Sequence, residues 1–372
     1  MKVIALGGAG AMGRLAVRDL SSREIVTEIT IADYNLDEAA NLARLLGKKC
    51  RAVKVDANDH SGMVAALRNH DAALGAIGPF YKYEAKVVRA CIDAGVHYVS
   101  ICDDYDAAEA ALQLDAHAKG KGLIMITGVG WTPGVTNILA KKASRELDAV
   151  EGIAVCWGCH ASDTAGKAVT LHTLHIFAGK VPSFQSGQHL RVPAGSGHEI
   201  VRFPQPVGDV HVYHLGHPEP VTIPRYIKTH TVTLKGGLKE HYFNLLGKTL
   251  SFLGILSTNM GKDIIGGIVN PLLPLFEKLD RPPETASACR VDVTGTASGR
   301  NTLITYGAVA HMDLLTGLPA SIALQMILEK KIKETGVMGP EACLDPGEFL
   351  HRLAKGGIRF YKGAAMSEPL SV

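Results

Sequence analysis

The run Gly7-Gly8-Ala9-Gly10-Ala11-Met12-Gly13 narrows the fold more than any other feature of the chain. It follows an apolar stretch, Val3–Leu6, and opens a helically spaced segment from Ala11 to Ser21. Gly8, Gly10 and Gly13 fit the GxGxxG spacing of dinucleotide-binding turns. The first glycine makes the tight turn, the second admits the pyrophosphate, and the third lets the helix pack on the strand. The anion then rests on free N–H groups at the positive end of the helix dipole. In a chain with 40 glycines the spacing alone says little. Its place between the first strand and the first helix is informative, as is Asp33 twenty residues beyond Gly13 at the end of the second strand. Gly8, Gly10, Ala11, Met12, Gly13 and Asp33 are therefore candidate cofactor contacts. Asp56 after the third strand joins them, either against adenine or as a cap for the next helix. Gly78-Pro79 after the fourth strand completes the set.

The pattern that follows agrees. Apolar runs at Glu28–Ala32, Ala52–Val55, Ala72–Ile77, Tyr98–Ile101 and Leu123–Ile126 alternate with helical spacing at 36–46, 59–68, 84–94 and 106–119. Single helices between strands imply a parallel sheet with right-handed crossovers, an α/β Rossmann domain over residues 1–128. After Gly130 the pattern changes. Thr132 reads as an N-cap with Pro133 at the first helical position, opening a helix to about Leu147. Segments rich in His, Gly and Pro then run to about Pro224, as in a mixed or antiparallel sheet. Period-two alternation flanks Ser298-Gly299, which predicts a hairpin. A further helix is expected from Pro319 to Glu329. The second domain, at 129–311, is thus expected to be α/β or α+β.

A length of 372 residues suggests two or three domains, and a net charge of +3 leaves no electrostatic footprint for nucleic acid. No apolar run reaches membrane-spanning length. The most apolar region, Leu245 to Leu275, is broken by Lys248, Lys262 and Asp263, and reads as buried or interface helices. No signal peptide is visible at the start, so the expectation is a cytoplasmic protein whose seven cysteines are reduced thiols. Cys156-Trp157-Gly158-Cys159-His160 matches the spacing of haem attachment or half a zinc site. It reads more simply as two cysteines on one strand, and no metal site is expected.

Asp33 also bears on cofactor choice. A carboxylate there accepts from the ribose hydroxyls and repels a 2′-phosphate. Its neighbours are Tyr34 and Asn35, with no Arg or Lys, so NAD is expected in preference to NADP. No tyrosine has a lysine four residues on, which excludes the short-chain dehydrogenase pair. GxSxG, HExxH and Walker A motifs are absent as well.

Six segments carry a family resemblance. They are Val3–Gly13, Ile77-Gly78-Pro79-Phe80, Ala94–Val99, Gly130-Trp131-Thr132-Pro133-Gly134-Val135-Thr136-Asn137, and, downstream, Thr316–Ser321 with Gly336–Glu341. Together they resemble the saccharopine dehydrogenase family over most of the chain. The resemblance implies a Rossmann domain, an inserted second domain, and a C-terminal return over about 312–350, with 351–372 as a candidate addition to the insert. It also implies oxidation of a C–N bond in a lysine-derived or opine-type amino acid. Lysine 6-dehydrogenase and carboxynorspermidine dehydrogenase activities are alternatives. Reduction of a C=C or C=O bond, or an NAD-binding sensor without chemistry, lies further off.

Such chemistry needs a base for the amine and an anchor for carboxylates. Asp103, Tyr81 and His214 are candidates for proton transfer. Asp103 and Asp104 read equally well as caps of the next helix, and Lys82 as a solvated side chain. Histidines cluster at His211, His214 and His217, ahead of Glu219. Arg225 is the candidate carboxylate anchor, with an ordinary surface ion pair as the plain alternative. Gly130, Trp131, Thr132, Gly134 and Asn137, at the turn into the helix, are candidate substrate contacts. A homodimer is expected, with the apolar Leu245–Leu275 region as available surface.

Overall fold

Short apolar runs bounded by turn residues become strands, and the helically spaced runs between them become crossovers. The computed structural model describes residues 1–163, 167–279 and 285–372, with the backbone alone at 167 and 270–279. In chain order the first elements are β1 (Lys2–Leu6), α1 (Ala11–Ser21), β2 (Glu28–Asp33), α2 (Leu36–Leu46), β3 (Cys50–Lys54) and α3 (His60–Leu67). There follow β4 (Ala72–Gly75), α4 (Phe80–Ala94), β5 (His97–Ser100), α5 (Tyr105–Leu112), α6 (Asp115–Gly120) and β6 (Ile124–Ile126). Next come α7 (Val135–Ser144), β7 (Ala149–Cys159), α8 (Lys167–Ile176), β8 (Lys180–Gln185), β9 (Gln188–Pro193), β10 (Glu199–Arg202), β11 (Asp209–His214) and α9 (Glu219–Tyr226). The chain continues with β12 (Thr231–Leu238), α10 (His241–Phe252), α11 (Asn259–Leu279), β13 (Ser287–Ala297), β14 (Arg300–Ala310) and α12 (Met312–Leu328). It closes with β15 (Gly336–Met338), α13 (Pro340–Cys343), α14 (Pro346–Lys355), β16 (Arg359–Lys362) and β17 (Glu368–Pro369). The chain forms two units, Met1–Gly134 with Thr316–Asp345, and Val135–Leu315 with Pro346–Val372.

The first unit is a seven-stranded parallel sheet in the order β15-β6-β5-β4-β1-β2-β3. Val3, Ile4, Ala5 and Leu6 are all fully buried, because helices cover both faces of a parallel sheet. The strand order reverses between β1 and β4, which opens a crevice outside their carboxyl ends. Six strands are expected from the first third of the sequence. The seventh, β15, comes from the C-terminal return and pairs with β6. In the same return, Gly317 of α12 lies against α1, where an added Cβ would fall 2.9 Å from the Met12 carbonyl. Ser321 and Gln325 donate to Asp19 of α1 at 2.6 and 2.9 Å.

The second unit is built on a ten-stranded, largely antiparallel sheet whose main path is β10-β11-β12-β7-β13-β14-β16-β17. Its centre is the β13–β14 hairpin, turned at Ser298 and Gly299 with φ of 50° and 74°. Two positive-φ residues match the right-handed twist of the flanking strands.

Several expectations need correction. The 106–119 helix is two helices, α5 and α6, broken at Gln113 and Leu114. The helix expected from Pro319 starts seven residues earlier at Met312, whose N–H is capped by Asp163 at 2.9 Å, and Pro319 lies inside it. The Leu245–Leu275 region, expected as buried or interface helices, is helical and only partly buried: Leu256 and Lys262 are buried. Leu246, Phe252, Leu253, Met260 and Ile264 are exposed, Phe252 at 91%. The part of that region beyond Val269 lies outside the described side chains.

Candidate active site

The glycine loop is shaped by its own backbone. Gly7, not Gly8, takes the left-handed conformation (φ 73°), and a Cβ there would sit 2.5 Å from the Ala76 carbonyl. The tight turn therefore belongs to the first of the four glycines. Gly8 is needed for packing, since its Cβ would fall 2.8 Å from that of Ala5. Gly13 is needed for helix approach, since its Cβ would fall 2.5 Å from the Gly7 carbonyl. Gly10 differs. It is exposed, and its Cβ would meet only the Gly7 carbonyl, at 3.2 Å. Gly10 caps α1 without a side-chain bond, and the first turn, with Ala11 and Met12, carries no acid. The N–H groups there are left for an anion, as a dinucleotide pyrophosphate requires.

Asp33 closes this loop. Its Oδ2 accepts from the Ala9 N–H at 3.2 Å and its Oδ1 from the Asn35 N–H at 3.1 Å. Strand register sets Lys54 opposite Asp33, with Nζ 5.2 Å from the centre of the exposed Tyr34 ring. Reading only the sequence neighbours of Asp33 misses that cation. Asp56 turns the chain by accepting from the Asn58 N–H at 2.8 Å, and the helix cap is Asp59. Gly78-Pro79 follows β4, with Pro79 at the N-cap of α4.

Tyr81 follows in the first turn of α4, and its N–H donates to Asp104 Oδ2 at 2.8 Å. Asp104 is fully buried and occupies the N-cap position of α5, yet its side chain does not cap that helix. Its partner is α4 instead. The Tyr81 hydroxyl, one Asp103 oxygen and the Trp131 indole N–H are all shielded from solvent.

The 128–134 turn departs from the expected helix start. Helix α7 begins at Val135, so Thr132 is not its cap and Pro133 is not its first residue. The Gly130 N–H donates to the Pro133 carbonyl at 2.9 Å, which folds the segment back on itself. Gly134 has φ 126°, and a Cβ there would overlap the Gly130 backbone. No helical residue adopts that angle. Trp131 and Thr132 are buried within the turn.

In the second unit, Asn137 is fully buried and its amide donates to Thr222 Oγ1 at 3.2 Å. Thr136 donates to Glu219 Oε1 at 2.9 Å, so α7 is pinned to α9. Arg225 is exposed on the last turn of α9, where a cation complements the helix dipole. His214 is half-buried against Gly197. Burial and the nearby Lys235 push its pKa down, which keeps the imidazole neutral. His211, two residues from Tyr213 on the same strand, stacks with His198 instead.

His217, read from the sequence only as one of a histidine cluster ahead of Glu219, packs among rings that the sequence did not bring together. The His217 ring is 5.7 Å from Trp157 and 5.2 Å from His172, and His217 is 2% exposed. Gly236 pairs with Trp157 across β12 and β7, and the indole fills the space its side chain would take. The dipeptide Gly236-Gly237 was the available signal. Cys156 and Cys159 lie on β7 as expected, both buried and free. Burial pushes both thiols up, away from the thiolate that a metal or disulfide exchange needs.

Known proteins resemble this arrangement along the full chain. A carboxynorspermidine synthase of Vibrio alginolyticus is 22% identical, covering 97% of this chain and 96% of the relative. A carboxyaminopropylagmatine dehydrogenase of Synechocystis is 24% identical, covering 97% and 98%. The fold matches apo saccharopine dehydrogenase (L-Glu forming) from Saccharomyces cerevisiae, with a TM-score of 0.70 at 16% identity over 98% of this chain and 100% of that one. Residues 3–126 match the saccharopine dehydrogenase NADP binding domain, and residues 130–358 match the saccharopine dehydrogenase C-terminal domain. Family matches running through both units make the assignment: the chain belongs to the saccharopine dehydrogenase family and is an NAD(P)-dependent dehydrogenase.

Proposed function

We propose that the protein is an NAD-dependent oxidoreductase acting on the C–N bond of a lysine-derived or opine-type amino acid. The observation that carries this reading is the family match across both units. The nicotinamide supplies hydride transfer when bound. The chain's own residues bind, shield and move protons. Gly10 and the first turn of α1 receive the pyrophosphate. Tyr81 and Asp103 are the proposed proton-transfer groups, with atoms already withdrawn from water. Arg225 is the proposed anchor for a substrate carboxylate.

A second reading is favoured by the second unit. A fully buried acid, Glu219, close in the chain to His217 and its Trp157 contact, suits the ammonium of a polyamine arm. This is carboxynorspermidine-type chemistry, in line with one curated relative named a carboxynorspermidine synthase and another named a carboxyaminopropylagmatine dehydrogenase. The readings share the reacting bond and differ in the charge of the arm.

One assay separates them. Purified protein is mixed with NAD or NADP and saccharopine, lysine, carboxynorspermidine or a neutral opine, and NAD(P)H absorbance is followed. The expected result is turnover with an amino acid, faster with NAD. Turnover confined to the polyamine-derived substrate selects the second reading. Asp33→Ser is expected to narrow the gap between the cofactors, because it removes a carboxylate that repels the 2′-phosphate. NADP preferred by the unaltered protein would defeat the NAD assignment, and Lys54 would be the cation responsible. No helix among the described residues is long and apolar enough to cross a membrane.

We also propose a homodimer formed through the exposed apolar residues of α10 and α11. Sedimentation at micromolar concentration is expected to show a dimer that Phe252→Glu shifts toward monomer. A monomer before substitution removes the proposal.

A further inference from the structure

Glu84 lies in the second turn of α4 and is 1% exposed. Its carboxyl accepts from three hydroxyls. The Tyr98 hydroxyl reaches Oε2 at 2.8 Å, and Ser100 Oγ and Thr127 Oγ1 reach Oε1 at 2.6 and 2.9 Å. None of these partners is a cation. Space for the contact comes from Gly75, where any Cβ would overlap the Tyr98 hydroxyl. An acid buried without a counter-charge costs more than an apolar side chain of similar size. Bracing a sheet does not require one.

The three hydroxyls are distributed in a telling way. Ser100 ends β5 and leads into the 101–104 segment, which carries Asp103. Thr127 follows β6 directly and leads into the 128–134 turn, which carries Trp131. The Ser100 carbonyl also accepts the Val129 N–H at 2.6 Å. Tyr81 lies three residues before Glu84 on α4, and its N–H holds Asp104. We infer that Glu84 is a positioning residue, a buried carboxyl clamp that fixes the three segments bearing Tyr81, Asp103 and Trp131. The inference rests on the proposed roles of those three residues for its catalytic consequence, though not for its structural one.

The clamp carries a pH dependence. Burial pushes the Glu84 pKa up from its ordinary value of 4.5, the three hydroxyls pull it down by less, and the charge of Asp104 adds to the rise. Cys91 and Cys102, which also face Glu84, are pushed up with Tyr98 and stay neutral. Asp103 acts on Cys102 in the same sense. A carboxyl with a raised folded pKa binds its proton more tightly in the fold than in the unfolded chain. Its contribution is therefore greatest below 4.5 and declines as pH rises toward the folded value. In that window the equilibrium changes by roughly tenfold per pH unit.

Amide hydrogen exchange on the full-length protein tests this without a substrate. Segments 101–104 and 128–134 are expected to lose protection relative to β1 as pH rises, and Glu84→Gln is expected to make their relative protection independent of pH. Thr127→Val keeps the shape and removes one hydroxyl. It is expected to loosen 128–134 selectively, and to lower kcat by about 10- to 100-fold while the Kd for NADH changes less than about twofold. A pH dependence that survives Glu84→Gln overturns the clamp, as does an equal loss of protection across the whole unit in Thr127→Val. If the unaltered protein turns over no C–N substrate, the functional reading fails, and the exchange result still decides the clamp.

Discussion

Gly10→Ala is expected to leave the stability of the unliganded protein almost unchanged and to weaken NADH binding by about 100-fold, which corresponds to ~2.7 kcal/mol. The added methyl meets nothing closer than the Gly7 carbonyl at 3.2 Å and points from an exposed position. It takes the space through which a pyrophosphate approaches the N–H groups of α1. Gly13→Val is the contrasting variant. Its side chain would collide with the Gly7 carbonyl and the Gly8 Cα, at 2.5 and 3.0 Å from the Cβ. It is expected to lose binding and also about 1–3 kcal/mol of stability, because α1 must back away from β1. Fluorescence titration with NADH and thermal unfolding, run side by side, separate the two effects. Normal NADH affinity in Gly10→Ala would show that this loop is not the pyrophosphate cradle.

Gly134→Ala is expected to raise the substrate KM by at least about tenfold while the Kd for NAD moves by less than about threefold. The φ of 126° at Gly134 is unavailable to alanine without strain of about 1–3 kcal/mol, and its Cβ would overlap the Gly130 backbone. The bridge between Gly130 and Gly134 must open, and Trp131 with Thr132 must shift. The glycine loop after β1 is a separate segment and keeps its shape. Steady-state kinetics with the best substrate, set against cofactor titration, read the split. Equal losses in both would make the 128–134 turn a purely structural connection.

The α/β alternation of the first third was legible because every strand is an unbroken apolar run and every crossover has helical spacing. Asp33 was legible for the same reason: it sits a fixed distance beyond the glycine loop, at the end of a strand the pattern defines. The start of α7 was misread. Thr-Pro is the ordinary signature of a helix N-terminus, but Gly134 one residue later requires a backbone angle that no helix contains. Asp104 was read as a possible cap from its position, and the structure gives its side chain to the Tyr81 N–H, 23 residues away in sequence. Glu84 was read only as a helix residue. Its three hydroxyl partners lie 14, 16 and 43 residues further along the chain, and nothing local marks them as a set.

The sequence by itself determined the parallel sheet, the dinucleotide loop and the family, because these depend on periodicity and on glycines at fixed spacing, both of which are local. Tertiary structure decided which glycine turns the loop, which cation stands opposite Asp33, and which strand, β15, completes the sheet from the far end of the chain. It also decided that Trp157 rests on Gly236 beside His217, and that a buried acid joins α4 to the ends of β5 and β6. Each of these is a contact between residues distant in sequence. Their partners are chosen by strand register and by the space that neighbouring side chains leave open, and a one-dimensional pattern encodes neither.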